Sequence, residues 1–416
     1  MKIDKKIFSW ALYDWANSAF ATTIMAGFFP IFFKDYWSAG TESTLTTARL
    51  GTIISISSIF MVVMSPLLGA MSDLKGTKKL FLSIFVLVGT FSCYSMSQID
   101  KGDWSSAMFI YGAALLAFEF SLVFYDSMLP TLVQGKNTNT ASSLGYSLGY
   151  LGGGILFLIN VLMYLDPESF GFVDGVASIK ASFITVAVWW VIFTIPLLYF
   201  VPESKNNYQK TSLLESVRLS VRSLIKTAKI IKHQKNIFLF LIAFWLYFDG
   251  VNTVITMAVD FGRSLNFKTG DLISALLLTQ FIGFPFALLF GKIAGKFGLK
   301  IPILFCILIY IIMVIGAMFM SNSTHFFILA SVIGMIQGGV QALSRSFYSQ
   351  MIPKGQEGEY FGFYNIIGKF ASVIGPLIVG FGAYISGNPR IGILGLLVLF
   401  VAGGIILLKV KEPQIV

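Results

Sequence analysis

Charge is scarce in this chain. Asp, Glu, Lys and Arg make up 12% of its 416 residues, against roughly 25% in a soluble domain. Hydrophobic residues make up 56%, and mean hydropathy is +0.79. That balance excludes a water-soluble globule, because so much apolar surface cannot be hidden in one core. Histidine is nearly missing too. His233 falls in a basic loop and His325 starts an apolar run, so a zinc or haem site is not expected, and neither is any other metal or cofactor. The two cysteines, Cys93 and Cys306, lie in apolar runs and support neither a disulfide framework nor a thiolate cluster. There is no H-E-x-x-H, no nucleotide-binding loop and no nucleophile with a base at usable spacing, so an enzyme is not expected. Nor is a cleavable signal: the apolar stretch 7–33 is too long and has no cleavage site.

What the chain does have is long apolar runs. Most reach about 20 residues, enough to cross ~30 Å of hydrocarbon at ~1.5 Å per residue. Twelve spans are expected, at 8–36, 49–72, 79–98, 104–130, 139–165, 179–201, 236–262, 270–295, 300–320, 325–351, 358–385 and 390–409. The fold class is therefore an all-α integral membrane protein. Most of the 30 Lys and Arg residues then fall on the side of both termini. The positive-inside rule makes that side the cytoplasm. The net charge of +10 becomes a topology signal, and no nucleic-acid partner is expected. The longest polar break, 202–235, divides the chain into an N-terminal six-helix bundle (1–201), a cytoplasmic linker and a C-terminal six-helix bundle (236–416). Within the linker, Ser212 and Glu215 have capping-box spacing. Leu214, Val217, Val221, Leu224, Ala228 and Ile231 follow at helical spacing, with Arg218, Arg222, Lys226 and Lys229 on another face. An amphipathic helix on the inner membrane surface is expected, held partly by anionic lipid.

One stretch puts a carboxylate where a lipid-spanning helix carries leucine. Asp14-Trp15-Ala16-Asn17-Ser18 in span one and Asp249-Gly250-Val251-Asn252-Thr253 in span seven both read D-x-x-N-[ST]. Residues i and i+3 share a helix face. Each half is expected to aim a carboxylate, an amide and a hydroxyl the same way. An ionisable residue inside a bilayer costs several kcal/mol and marks function by default, although a polar clamp between helices is the simpler alternative. Asp14 lies ~12 Å along its helix from Lys6 and Asp249 ~21 Å from Lys235, so the depths differ.

Other stretches repeat as well. Gly69-Ala70-Met71-Ser72-Asp73-Leu74-Lys75-Gly76-Thr77-Lys78 joins spans two and three, and Gly291-Lys292-Ile293-Ala294-Gly295-Lys296-Phe297-Gly298-Leu299-Lys300 joins spans eight and nine. Phe124-Tyr125-Asp126-Ser127-Met128-Leu129-Pro130 ends span four, and Phe347-Tyr348-Ser349-Gln350-Met351-Ile352-Pro353 ends span ten. Two six-span repeats with G-x-x-x-D-x-x-G-x-K after span two resemble the major facilitator superfamily over essentially the whole chain. Leu74 stands where that signature carries a basic residue, and Gly295 replaces the Asp in the second copy. Within the superfamily, Tyr13-Asp14-Trp15-Ala16-Asn17-Ser18-Ala19-Phe20 and Gln341-Ala342-Leu343-Ser344-Arg345-Ser346 are similar to hallmarks of the autophagy-related vacuolar amino-acid effluxers and their bacterial relatives. The resemblance implies secondary transport of small polar solutes by alternating access, with proton-coupled export of amino acids or related metabolites as the expectation. A bacterial inner membrane, both termini cytoplasmic and a monomer are expected with it. Efflux of amphipathic drugs or lysolipids is one alternative. A channel-like or receptor protein without coupled transport is another.

In a two-repeat transporter the solute binds near the midplane between the halves, and the resemblance implies that spans one, four, seven and ten line that site. Candidate solute-binding residues are Asp14, Asn17, Glu119, Asp249, Asn252, Gln337, Gln341, Asn365 and Lys369. Glu119, midway along span four, and Asp14 are the candidate proton carriers. Lys369 is the lone lysine deep in a span; it could meet a solute carboxylate or pair with Glu119, Asp14 or Asp249. Arg345 and Asp126 are expected to pair when an inner gate closes. Asp73 is expected to join that gate at the N-terminus of span eleven, where the helix dipole favours an anion.

Overall fold

The computed structural model describes residues 4–41, 43–133, 136–203, 213–265, 267–353, 355–371, 373–386 and 388–412. All regular structure among them is helical. Among the described residues, ten helices are long and apolar enough to cross a membrane: Lys5–Trp37, Lys78–Ser97, Trp104–Leu132, Asn137–Leu165, Gly175–Phe200, Lys235–Ala258, Gly270–Phe297, Lys300–Ala317, Ser323–Ser349 and Pro389–Lys409. These are spans one, three to ten and twelve. Span two is the long helix Ser43–Lys75.

Span eleven departs from expectation. In place of one helix over 358–385 there are two, Glu357–Phe370 and Ile374–Ser386. The first ends where the Ala371 N–H closes back on the Ile367 carbonyl. The second opens with Gly375 and Pro376 in its first turn, where proline's missing N–H costs nothing and its fixed φ suits a helix start. Pro376 thus stands at a helix start.

Span one is also irregular. It is α-helical over Lys5–Ala19, widens to a π-helix over Phe20–Phe28, and repeats the change over Phe29–Phe32 and Phe33–Trp37. Long π stretches are rare and gather at functional sites.

Buried apolar residues fall into two main cores. One runs from Ile7 to Val201 and is dense in aromatic rings, with Trp10, Phe20, Trp37 and Trp190 fully enclosed. The other runs from Ile231 to Val410. Each core thus belongs to one six-span half. At one end of the bundle, Lys5 sits over the Phe200 ring and Lys411 bonds Asn236. The first and last described helices begin and end there, and we call it the terminal end.

The halves meet mainly through span five against spans eight and ten, and the first segment of span eleven against spans two and four. The outer stretch of span one packs chiefly within the first half, and Ile374–Ser386 within the second. Close approach is built with glycine. The Tyr150 ring inserts where a Cβ on Gly283 or Gly338 would stand 2.8 or 2.7 Å from it.

The helix Leu213–His233 follows the first half and packs on spans two and seven. Arg218, Arg222, Lys226 and Lys229 are exposed, as are the apolar Val221 and Ile225. Charge and apolar surface exposed on one helix suit a bilayer interface. Ser212 and the side chains of Leu214, Val217, Leu224 and Ala228 lie outside the described residues.

Candidate functional site

Arg345 is the centre of the contact between halves. Its side chain is 2% exposed. From span ten it reaches across to spans one, four and five of the other half. Nη1 donates to Asp126 Oδ1 at 3.0 Å, and Nη2 lies 3.4 Å from Asp14 Oδ2. Nε donates to Ser142 Oγ at 3.0 Å and Nη2 to the Ser142 carbonyl at 2.9 Å. The guanidinium also lies 4.3 Å from the Tyr146 ring centroid. A planar fork with five donors suits this many partners, where an ammonium would not.

Asp14 is held from the other side. The Tyr125 hydroxyl donates to its Oδ2 at 2.7 Å, and Trp10 Nε1 fixes Tyr125 by donating to its carbonyl at 2.9 Å. Gly145 makes room for the cluster: a Cβ there would stand 2.8 Å from the Tyr125 hydroxyl and 3.0 Å from Arg345 Nη2. Two carboxylates therefore meet one guanidinium in a buried site.

A second contact between halves lies nearer the terminal end. Asp73 Oδ2 accepts the Glu359 N–H at 2.9 Å, at the N-terminus of span eleven. Lys78 lies 3.0 Å from Asp73 and 3.8 Å from Glu357, and it also donates to the Ser127 carbonyl. Gly69 of span two stands against Gly358 of span eleven so closely that a Cβ on Gly69 would overlap the Gly358 carbonyl.

Asp249 is placed otherwise. It is 1% exposed and faces the break in span eleven. Its Oδ1 accepts the Gly375 N–H at 2.9 Å, capping the second segment. Thr253 Oγ1 donates to the Asp249 carbonyl at 2.7 Å. Asn252 Nδ2 donates at 3.4 Å to the carbonyl of Ala371, where the first segment ends. The D-x-x-N of span seven thus holds both sides of the break. Asn17, its counterpart in span one, is buried with Nδ2 unpartnered. The two copies of the motif face differently: Asp14 meets the other half, and Asp249 and Asn252 meet their own.

The remaining candidates are dispersed. Gln341 accepts the Tyr150 hydroxyl at 3.0 Å, one turn before Arg345. Gln337, one turn further along span ten, is buried. Asn365 is half-buried with its Nδ2 unpartnered. Glu119 is half-buried on span four, two turns before Asp126. Lys369 lies in the first segment of span eleven, and its side chain is outside the described residues.

This constellation can be set against known proteins. The family described as vacuole effluxer Atg22 like matches residues 46–414. The MFS-type transporter YxiO of Bacillus subtilis (strain 168) is 36% identical over 97% of this chain and 94% of its own length. The chain belongs to the Atg22-like family. Autophagy-related protein 22-2 of Aspergillus clavatus is 29% identical over 59% of the chain, which spans 43% of that longer relative. Among solved structures, the human organic anion transporter MFSD10 aligns with a TM-score of 0.73 at 13% identity, covering 97% of this chain and 98% of that one. The proton:xylose symporter XylE aligns at 0.70 and 14%, covering 98% and 95%. The fold is the major facilitator fold, twelve membrane helices in two pseudo-symmetric bundles. This Atg22-like protein is a multi-pass transporter and not an enzyme.

Several residues of the site escaped the sequence. Lys78 was visible as the tenth residue of the signature loop, yet nothing marked it as the partner of Asp73. Glu357 and Glu359 passed unread; acidic residues at a helix start were the available signal. Ser142 and Tyr146 belong to a serine- and glycine-rich helix face, where no spacing rule singles them out.

Proposed function

We propose that this Atg22-like transporter is a proton-coupled exporter of amino acids or related polar metabolites, working by alternating access in a bacterial inner membrane with both termini cytoplasmic. The observation that carries the reading is Arg345, a buried cation on one half bonded to Asp126 and facing Asp14 of the other. A contact of that kind must be broken for the terminal end to open. The bundles 1–201 and 236–416 then rock about the solute, with Asp126, Arg345 and Asp73 as the gate. Asp14, Asn17, Glu119, Gln337, Gln341, Asn365 and Lys369 offer acids, amides and a base to a zwitterion, and span seven adds Asp249 and Asn252, which face span eleven. Two carboxylates facing one guanidinium leave a negative charge over. A proton on Asp14 cancels it, and Glu119 relays that proton to water.

Counterflow in proteoliposomes tests this. Vesicles loaded with an unlabelled amino-acid mixture should accumulate labelled amino acids faster than empty ones. Absence of trans-stimulation by every solute class tried would favour a channel and sink the reading. Glu119→Gln should abolish pH-gradient-driven movement while leaving counterflow.

A further inference from the structure

We propose that the groups around Arg345 on the first half form the pocket that reads the solute's cation, an ammonium or guanidinium, and that Arg345 fills this pocket in the solute's place while the terminal end is closed. The proposal rests on the transport reading and names its solute class: protonated amines and guanidines, for which a carboxylate is dispensable.

Every described partner of the Arg345 side chain belongs to the first half. Asp126, Asp14 and Ser142 take its N–H groups. Three rings surround the guanidinium, with centroids 4.3 Å away at Tyr146, 5.1 Å at Trp10 and 5.4 Å at Tyr125. Acids and aromatic faces gathered around one point bind organic cations. The pocket is also braced without Arg345. Trp10 stacks on Tyr125 at 4.4 Å and donates to its carbonyl, and Tyr125 donates to Asp14. Those contacts lie within the first half, so they survive a rigid-body separation of the bundles. Opening the terminal end withdraws Arg345 with span ten and leaves a preassembled space of guanidinium size.

Charge points the same way. Among the described residues the buried acids are Asp14, Asp73, Asp126, Asp249, Glu357 and Glu359, and the buried bases are Lys78 and Arg345. Both bases already face acids. A solute carboxylate therefore finds no unanswered base among them, whereas a solute cation finds an acid short of charge. Arg345 stands 3.0 Å from Asp126 and 3.4 Å from Asp14, so Asp14 is the less compensated of the two. One turn along the same face, Asn17 is buried with no acceptor for its Nδ2, which suits a solute carbonyl beside the cation. The titratable groups within electrostatic reach of Asp14 are Tyr13, Tyr125, Tyr146, Tyr150, Asp126 and Arg345, from spans one, four, five and ten. Span six brings the uncharged Trp189 and Trp190 against span one. Of these groups Arg345 is the cation. Its return on closure displaces the solute, and a proton takes the charge left on Asp14. Capture at the terminal end followed by displacement on closure drives the solute away from that end.

Thermal unfolding of the purified full chain tests this with propylguanidine, which is the Arg345 side chain freed of its backbone, against propylurea, its uncharged counterpart. Propylguanidine should raise the Tm of wild type saturably, following RT ln(1 + [L]/Kd), and propylurea should not. Asp14→Asn and Asp126→Asn should each weaken that response about tenfold or more, and Tyr146→Leu about threefold. Arg345→Gly should bind propylguanidine about tenfold more tightly than wild type, because no resident cation competes. Counterflow of labelled amino acids should be inhibited by amino-acid amides, which keep the ammonium, and not by N-acetyl amino acids, which lose it. A wild type blind to propylguanidine, or equally responsive to propylurea, overturns the pocket. So does an Asp14→Asn variant that responds as wild type does. A response confined to Arg345→Gly makes the contact a structural ion pair and also overturns it; should that variant not fold, the wild-type and Asp14→Asn series decide. If no solute gives counterflow but the Asp14-dependent response persists, the transport reading fails and the pocket stands. If N-acetyl amino acids inhibit counterflow as well as the amides do, the pocket alone fails.

Discussion

Asp14 and Asp249 occupy the same place in the same motif, one in each half, and their surroundings could hardly differ more. Asp14 faces a guanidinium delivered by the opposite half. Asp249 faces a helix end of its own half. A charge-to-charge contact across an interface exists in only one arrangement of the bundles. A cap on a helix break survives every rigid-body movement of them. Sequence repetition therefore preserved the carboxylate but not its surroundings: the first copy lies against a cation of the other half, and the second against a helix end of its own.

The largest effect should come from removing the cation. Arg345→Met leaves Asp14 and Asp126 buried without their counter-charge, a loss of roughly 3–5 kcal/mol by the behaviour of broken buried pairs. Counterflow should fall by about 100-fold or more, and a cysteine placed at Ser346 should label rapidly from the terminal side. Slow labelling of that cysteine would mean that Arg345 does not hold the halves together.

A methyl group added to each half comes next. Gly145→Ala and Gly375→Ala both push on a carboxylate, and overpacking costs about 1–3 kcal/mol. Gly145→Ala should raise terminal-side labelling with little change in melting temperature. Gly375→Ala should lower the melting temperature and leave labelling alone. The same phenotype in both would erase the distinction drawn above.

The smallest effect separates the two asparagines. Asn252 donates to the Ala371 carbonyl, and Asn252→Ala should cost about 1 kcal/mol of stability. Asn17 Nδ2 has no partner, so Asn17→Ala should barely move the melting temperature while weakening solute binding measured by thermal shift.

The helix plan was legible because charged residues bracket nearly every apolar run, and the observed spans begin and end within a few residues of that reading. The break in span eleven was not. Gly368, Gly375 and Pro376 resemble the glycines and prolines of unbroken spans, and the Asp249 that caps the second segment is more than a hundred residues away in sequence. Arg345 could be picked out because a lone arginine in an apolar helix must be answered. Which carboxylates answer it is a matter of how two bundles dock, and one-dimensional spacing contains no docking. Leu74 leaves the position after Asp73 without a basic residue, and Asp73 meets the signature's own Lys78, at the start of the next helix.

Gly69 of span two meets span eleven through main-chain atoms alone, at Gly358 and Glu359. No rotamer there can adjust to absorb an error in fit. A methyl at Gly69 would hold the seam ajar through every cycle, and a seam ajar in a bilayer is a leak. Alanine at Gly69 should therefore burden a growing cell in a way that loss of the whole protein would not, by draining its ion gradients whether or not any solute is moved.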